Sequence, residues 1–231
     1  MQCLDSRVQS ARRATFELSQ IDMEFRLTYE GPLYARQRDP ISGQLDGGRD
    51  HKHTIRKRFH SQLRQLWEIT PFLRTGKSSG PELGGYVKTT LPQFPNKDVL
   101  AKRFSLFGFN FVPLVTQDLH LFCGLEILFL RPDPPGEVLK SGDIDNRLKT
   151  LFDALRMPEQ NENYSQRTAL SDETPFYCLL EDDKLITKIS VETDQLLERV
   201  APQPDMNDAR LVITVRLRPY ELHFGNLPFG G

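Results

Sequence analysis

Asp143, Asp145 and Lys149 fall in one run, Gly142-Asp143-Ile144-Asp145-Asn146-Arg147-Leu148-Lys149, and Glu181-Asp182-Asp183 follows in a distant segment. Aspartates at i and i+2 point to the same side where the backbone is extended. A lysine four residues beyond the second returns to that side if a helix starts at Asn146. Three or four carboxylates beside one lysine suit a hard divalent cation and a phosphate, because Mg²⁺ takes oxygen ligands, keeps some waters and brings a phosphate along as a further ligand. The chemistry expected is metal-assisted phosphodiester hydrolysis. Asp143, Asp145 and Asp183 are the expected ligands, Asp182 is the alternate to Asp183, and Lys149 offsets charge growing on the phosphate. Mg²⁺ is the expected cofactor, with Mn²⁺ able to substitute.

Plainer readings compete. An aspartate ahead of a helix is a favoured N-cap, but one cap explains one aspartate, not two at i+2 with Asn146 and Lys149 also in pattern. Lys149 would otherwise form a surface pair with Asp145 or Asp153, worth about 0.3 kcal/mol; in the metal reading Asp153 orients Lys149 or a ligand. An Asp-x-Asp also serves nucleotide-sugar transferases, though no nucleotide-binding half is evident and Lys149 and Asp183 would go unexplained. A non-catalytic nucleic-acid binder would gain nothing from acids beside phosphates.

The run Asp-Ile-Asp-Asn-Arg-Leu-Lys-Thr-Leu-Phe-Asp-Ala-Leu, from Asp143 to Leu155, with the later Asp182-Asp183, resembles the signature of the RusA-type Holliday-junction resolvases. That family's pattern is Asp-x-Asp-Asn-x-x-Lys, then Asp-Ala-Leu, then Asp-Asp. The resemblance implies a RusA-like α+β fold and a homodimeric, Mg²⁺-dependent endonuclease cutting branched DNA. It matches Asp143, Asp145 and Asp183 to the catalytic aspartates and Lys149 to the family's lysine. Two departures stand out: the segment Arg156 to Glu181 is much longer than the corresponding connection in compact members, and the chain is formally −1 where the family is typically basic.

The elements that must position these residues read as an α+β domain, a mixed β-sheet flanked by helices with long loop insertions. Residues 1–21 read as an N-terminal extension, with Ser6 to Gln20 a helical stretch. Residues 22–218 read as the nuclease domain, with insertions near 71–103 and 156–180, and 219–231 as a fraying tail. Met23, Phe25, Leu27 and Tyr29 alternate with polar residues, as do Leu185 to Thr193 and Leu211 to Leu217, so each reads as a strand. Leu121, Cys123, Leu125, Ile127 and Phe129 share one face of a further strand. Asp39 to Asp50 reads as a loop. His53 to Thr70 reads as an amphipathic helix with Phe59, Leu63, Leu66 and Trp67 inward. Phe104 to Leu114 is expected to be half-buried, and Met157 to Thr174 a mobile polar loop. Asn146 to Leu155 reads as a helix.

With 231 residues, 38% apolar and 26% charged, the composition is that of an ordinary globular chain. No run reaches the roughly 18 apolar residues of a membrane span, and the N-terminus lacks a secretory signal's apolar core. Cys3, Cys123 and Cys178 suggest neither a disulfide framework nor a zinc ribbon, so a cytoplasmic setting is expected by default. Charge is unevenly spread. His51 to Arg103 holds eleven basic and three acidic residues, and Leu151 to Val200 five basic and eleven acidic. A basic face for phosphates beside an acidic metal pocket gives a sum near zero. Arg56, Lys57 and Arg64 are the expected DNA-backbone contacts. His51-Lys52-His53 could hold a metal but reads more simply as solvated.

Overall fold

Alternating apolar and polar side chains build the larger of two sheets. The computed structural model describes residues 23–35, 46–75, 95–132, 144–162, 168–198, 207–223 and 225–229. Four strands, β1 (Met23–Pro32), β4 (Leu121–Arg131), β6 (Ile186–Gln195) and β7 (Asp208–Pro219), join in the order β1-β7-β4-β6. β7 is antiparallel to both β1 and β4, and β6 runs parallel to β4. Along β4 every odd residue from Leu121 to Arg131 is buried and every even one is at least partly open. One face of the sheet therefore seals the core and the other meets solvent.

A smaller mixed sheet has the order β2-β3-β5, from β2 (Ser105–Leu106), β3 (Phe109–Val115) and β5 (Phe176–Leu180). β2 and β3 form a hairpin whose two turn residues, Phe107 and Gly108, have φ of 53° and 79°. Positive φ at both positions is the type I′ turn, whose twist matches the strands it joins. The stretch Phe104 to Leu114, expected to be half-buried, thus supplies a strand with Phe109 and Phe111 fully buried.

Helix α1 (Asp46–Ile69) bridges the sheets. Ile55, Phe59, Leu63 and Trp67 recur at helical spacing and are buried against Leu27, Tyr29 and Tyr177. The helix starts at Asp46, so the loop read over Asp39 to Asp50 is corrected at its C-terminal end. Gln62 grips the free edge of β1: its Oε1 accepts the Thr28 N–H at 2.8 Å and its Nε2 donates to the Thr28 carbonyl at 2.7 Å. His60 does the same for β5, its Nδ1 accepting the Tyr177 N–H at 2.9 Å while Nε2 lies 2.9 Å from the Asp172 carbonyl. Since Nδ1 accepts, the proton sits on Nε2 and the ring is neutral. Burial accordingly pushes this imidazole below its ordinary range.

Two short helices, α2 (Pro71–Thr75) and α3 (Lys97–Arg103), lie in the span read as an insertion and bury Leu73 and Leu100. Asn96 caps α3, its side chain accepting the Val99 N–H at 3.0 Å. Helix α4 (Ile144–Leu155) packs beside α1 and buries Leu151, Ala154 and Leu155.

Two expectations of mobility are overturned. Within Met157 to Thr174, Met157, Glu162 and Glu173 are buried, because ion pairs to α1 fix what an apolar pattern does not. The tail does not fray at Asn226 and Phe229, both fully buried; the Asn226 amide donates to the Leu119 and Glu221 carbonyls. The fold is thus α+β with two mixed sheets rather than one. The extension 1–21 lies outside the described residues. No described helix is long and apolar enough to cross a membrane.

Candidate active site

Helix α4 presents the acidic motif on its open side. Arg147, Thr150 and Leu151 are buried, whereas Asp145, Asn146 and Lys149 are exposed. Thr150 secures the buried side, its hydroxyl donating to the Tyr34 carbonyl at 3.1 Å. Asp145 and Lys149 stand at i and i+4, the spacing at which opposite charges meet on a helix. Among the described residues neither forms an ion pair. Both charges remain available to a third group. Asp143 lies outside the described residues.

The second acidic segment follows β5. Glu181 is fixed at both ends: its N–H donates to the Val115 carbonyl, and its Oε2 accepts the Gln117 N–H, each at 2.9 Å. Asp182 and Asp183 then diverge. Asp182 accepts the Lys184 N–H at 3.0 Å and pairs with the Lys184 ammonium at 3.2 Å. Burial alone would raise its carboxyl, but Lys184 holds it below the usual range. Asp183 leans toward the end of α4, 3.9 Å from Arg156 Nε. Burial raises its carboxyl, and the charges of Asp182 and Asp153 add to that against the pull of Arg156. Asp183 is therefore the less satisfied of the pair.

Among the described residues, Asp145 and Asp183 are not gathered onto one point. Leu180 bridges Arg156, which places the acidic turn beside the last turn of α4. Asp145 sits in the first turn, and eleven residues at 1.5 Å rise put its Cα about 16 Å from that of Arg156. Among the described residues no group of three His, Cys, Asp or Glu side chains converges as a metal would require. In donor chemistry Asp145 and Asp183 do suit a hard cation, being exposed carboxylates. The described part of the site is two carboxylate stations along one helix with Lys149 between them.

Between α1 and α4 lies a charge network that the sequence reading passed over. Asp153 accepts from Lys52 Nζ at 2.6 Å and from Arg156 Nη2 at 3.0 Å. Glu162 takes Arg56 at 2.8 Å and Arg156 at 3.2 Å. Arg56, with 1% of its surface exposed, also donates to the main-chain carbonyls of Asp153 and Arg156. Arg56 is thus not a DNA contact; it faces inward because it ties α1 to the end of α4. Asp153 likewise orients Lys52 and Arg156 rather than Lys149. Lys57 is half-exposed and paired with Glu173 at 2.8 Å, and Arg64 is exposed, 3.9 Å from Glu68.

His51-Lys52-His53 is not solvated. His51 accepts the Tyr34 N–H and packs on that ring, and burial depresses its pKa to about 4. His53 lies 3.6 Å from Glu173. The sequence signal for this network was charge in phase with the core: Lys52, Arg56 and His60 recur every four residues beside Ile55, Phe59 and Leu63. No protein-family model and no curated protein matches the chain.

Proposed function

We propose that this chain is a divalent-metal-dependent endonuclease that hydrolyses phosphodiester bonds in branched DNA, of the RusA type, acting as a homodimer. The observation that carries the reading is the open side of α4, where Asp145 and Lys149 stand one turn apart, exposed and without an ion-pair partner among the described residues, inside an Asp-x-Asp-Asn-x-x-Lys run. Unpaired opposite charges at that spacing gain little for folding and suit a phosphate bound through a cation.

The donors proposed for Mg²⁺ or Mn²⁺ are Asp143 and Asp145 at the start of α4 and, at the separate station beyond its end, Asp183 with Asp182 the alternate. The ion supplies charge to polarise the phosphate and lowers the pKa of a bound water. Lys149 donates to a non-bridging phosphate oxygen and offsets its growing charge. The α4 N-terminus adds partial positive charge on the same side. Asp182 shapes the turn through Lys184, leaving Asp183 as the ligand. Symmetric cutting of a four-way junction needs two such sites, which a two-fold dimer provides. Two buried thiols, Cys123 and Cys178, each pushed up to about 12 by burial, suit a reducing cytoplasm.

The test is a cleavage panel of junction, flap, duplex and single strand with Mg²⁺, Mn²⁺ or chelator. Metal-dependent nicking of branched substrates, lost in Asp145→Asn, is expected. A full panel left uncut, or equal cutting by Asp145→Asn, would refute the proposal. Cutting confined to unbranched substrates would make it a nuclease of another structure.

A further inference from the structure

The solvent-facing side of the larger sheet holds a groove of about 510 Å³ at the end where β4 and β6 begin. Its floor is Gly124, which lies opposite Arg216 on β7 and Lys188 on β6. A Cβ placed on Gly124 would meet nothing nearer than 3.8 Å, and its backbone is not in the left-handed region. Neither packing nor φ calls for glycine here. What glycine provides is the space.

The walls are cationic and aromatic. Lys188, Arg216 and Arg218 line the groove against one acid, Glu126. Arg216 is engaged by Glu24 and Glu126, and Lys188 stands 3.9 Å from Glu126 with 70% of its side chain exposed. Arg218 has no carboxylate partner among the described residues; its guanidinium lies 5.0 Å over the Phe122 ring. Phe122 packs against Tyr220 at 5.1 Å, and Tyr220 stacks on His120 at 5.4 Å and 17°. Phe122 and Tyr220 are 36% and 54% exposed. A bulge in the β4–β6 register leaves Thr187 unpaired beside Gly124, a device common next to binding sites.

We infer that this groove binds single-stranded nucleic acid. Net positive walls take the phosphates, the aromatic row takes base faces, and the volume suits about one nucleotide. Thr187 and Lys188 come four and five residues after Asp183, so the groove and the acidic turn share one chain segment. The inference deepens the nuclease reading and rests on it for its biological sense, but binding itself requires no cleavage.

The experiment measures fluorescence anisotropy of a labelled oligothymidine with the full chain in chelator, for wild type, Gly124→Val and Arg218→Ala. Gly124→Val fills the floor with a strand-favouring residue, so its unfolding midpoint should hold or rise. The expected result is an affinity loss of about tenfold or more in each variant. Wild-type binding that both variants retain would overturn the groove while leaving the nuclease reading intact. Cleavage of branched DNA without single-strand binding would do the same. Failure of the wild type both to bind and to cut any DNA would remove both readings. If Gly124→Val instead turned a dimer into a monomer in sedimentation without changing affinity, the groove would be a contact between copies.

Discussion

Replacing Asp153 by Asn isolates one charge at the centre of the fold. The side chain keeps its size and one acceptor oxygen, but Lys52 loses its only carboxylate among the described residues. Arg156 keeps Glu159 and Glu162. Lys52 and Asp153 are 6% and 4% exposed, so water replaces little of the lost partner. Breaking a buried pair from one side costs about 3–5 kcal/mol, and the partners left to Arg156 put the expected loss at about 3 kcal/mol. For a domain of this size that is a fall in Tm of about 6–12 °C. Urea unfolding at neutral pH is the assay, with the double variant Lys52→Met, Asp153→Asn closing the cycle and recovering part of the loss. The acid limb gives a second check. Burial raises the Asp153 carboxyl, but the hydrogen bond and charge of Lys52, then Arg156, bring it below its ordinary value. A depressed folded pKa stabilises above the unfolded value and fades as pH falls through the folded one. The gap between wild type and variant should therefore close in acid. A neutral-pH loss under about 1 kcal/mol, within reach of an ordinary substitution, would refute the reasoning.

Asp145→Asn should move the unfolding midpoint by no more than about 0.5 kcal/mol while metal-dependent cleavage falls at least about a hundredfold; unchanged turnover of a labelled junction would contradict it. Asp183→Asn should abolish cleavage and Asp182→Asn reduce it less, since asparagine still caps Lys184; the reverse order in single-turnover assays would make Asp182 the ligand. Lys57→Ala with Arg64→Ala should flatten the salt dependence of DNA binding by up to about 1.8, at about 0.9 per phosphate contact, whereas Arg56→Met should cost stability, and an unchanged slope in the double variant would place the DNA path elsewhere. Burial holds His51, His53 and His60 below the ordinary 6.5. The unfolded chain therefore binds protons first. Stability should be complete above that value and decline toward the His51 pKa of about 4, less steeply in His51→Asn; urea midpoints flat from neutral pH to about 5 would refute this.

The strands were legible because a sheet with one wet face writes a period of two, clear in Met23 to Tyr29 and Leu121 to Phe129. The apolar stripe of α1 was legible for the same kind of reason. Its first turns were not, since Asp46-Gly47-Gly48 reads as loop chemistry. Arg56 was misplaced because a basic residue near a helix start looks solvent-facing, while its buried partners Glu162 and Asp153 lie about a hundred residues away. The segment after α4 looked mobile because ion pairs hold it, and polar composition alone cannot tell a salted anchor from a loop. The groove was out of reach altogether: Gly124, Arg216 and Lys188 become neighbours only through strand register.

A single helix occupies hydrogen-bonding positions on strands of both sheets, Gln62 at Thr28 and His60 at Tyr177. An unfilled strand edge is a template for foreign strands. Any perturbation that lifts α1, acid at His60 included, therefore bares two edges at once, in a region otherwise rich in buried aromatics. Helix α1 thus covers strand edges of both sheets as well as packing on the core.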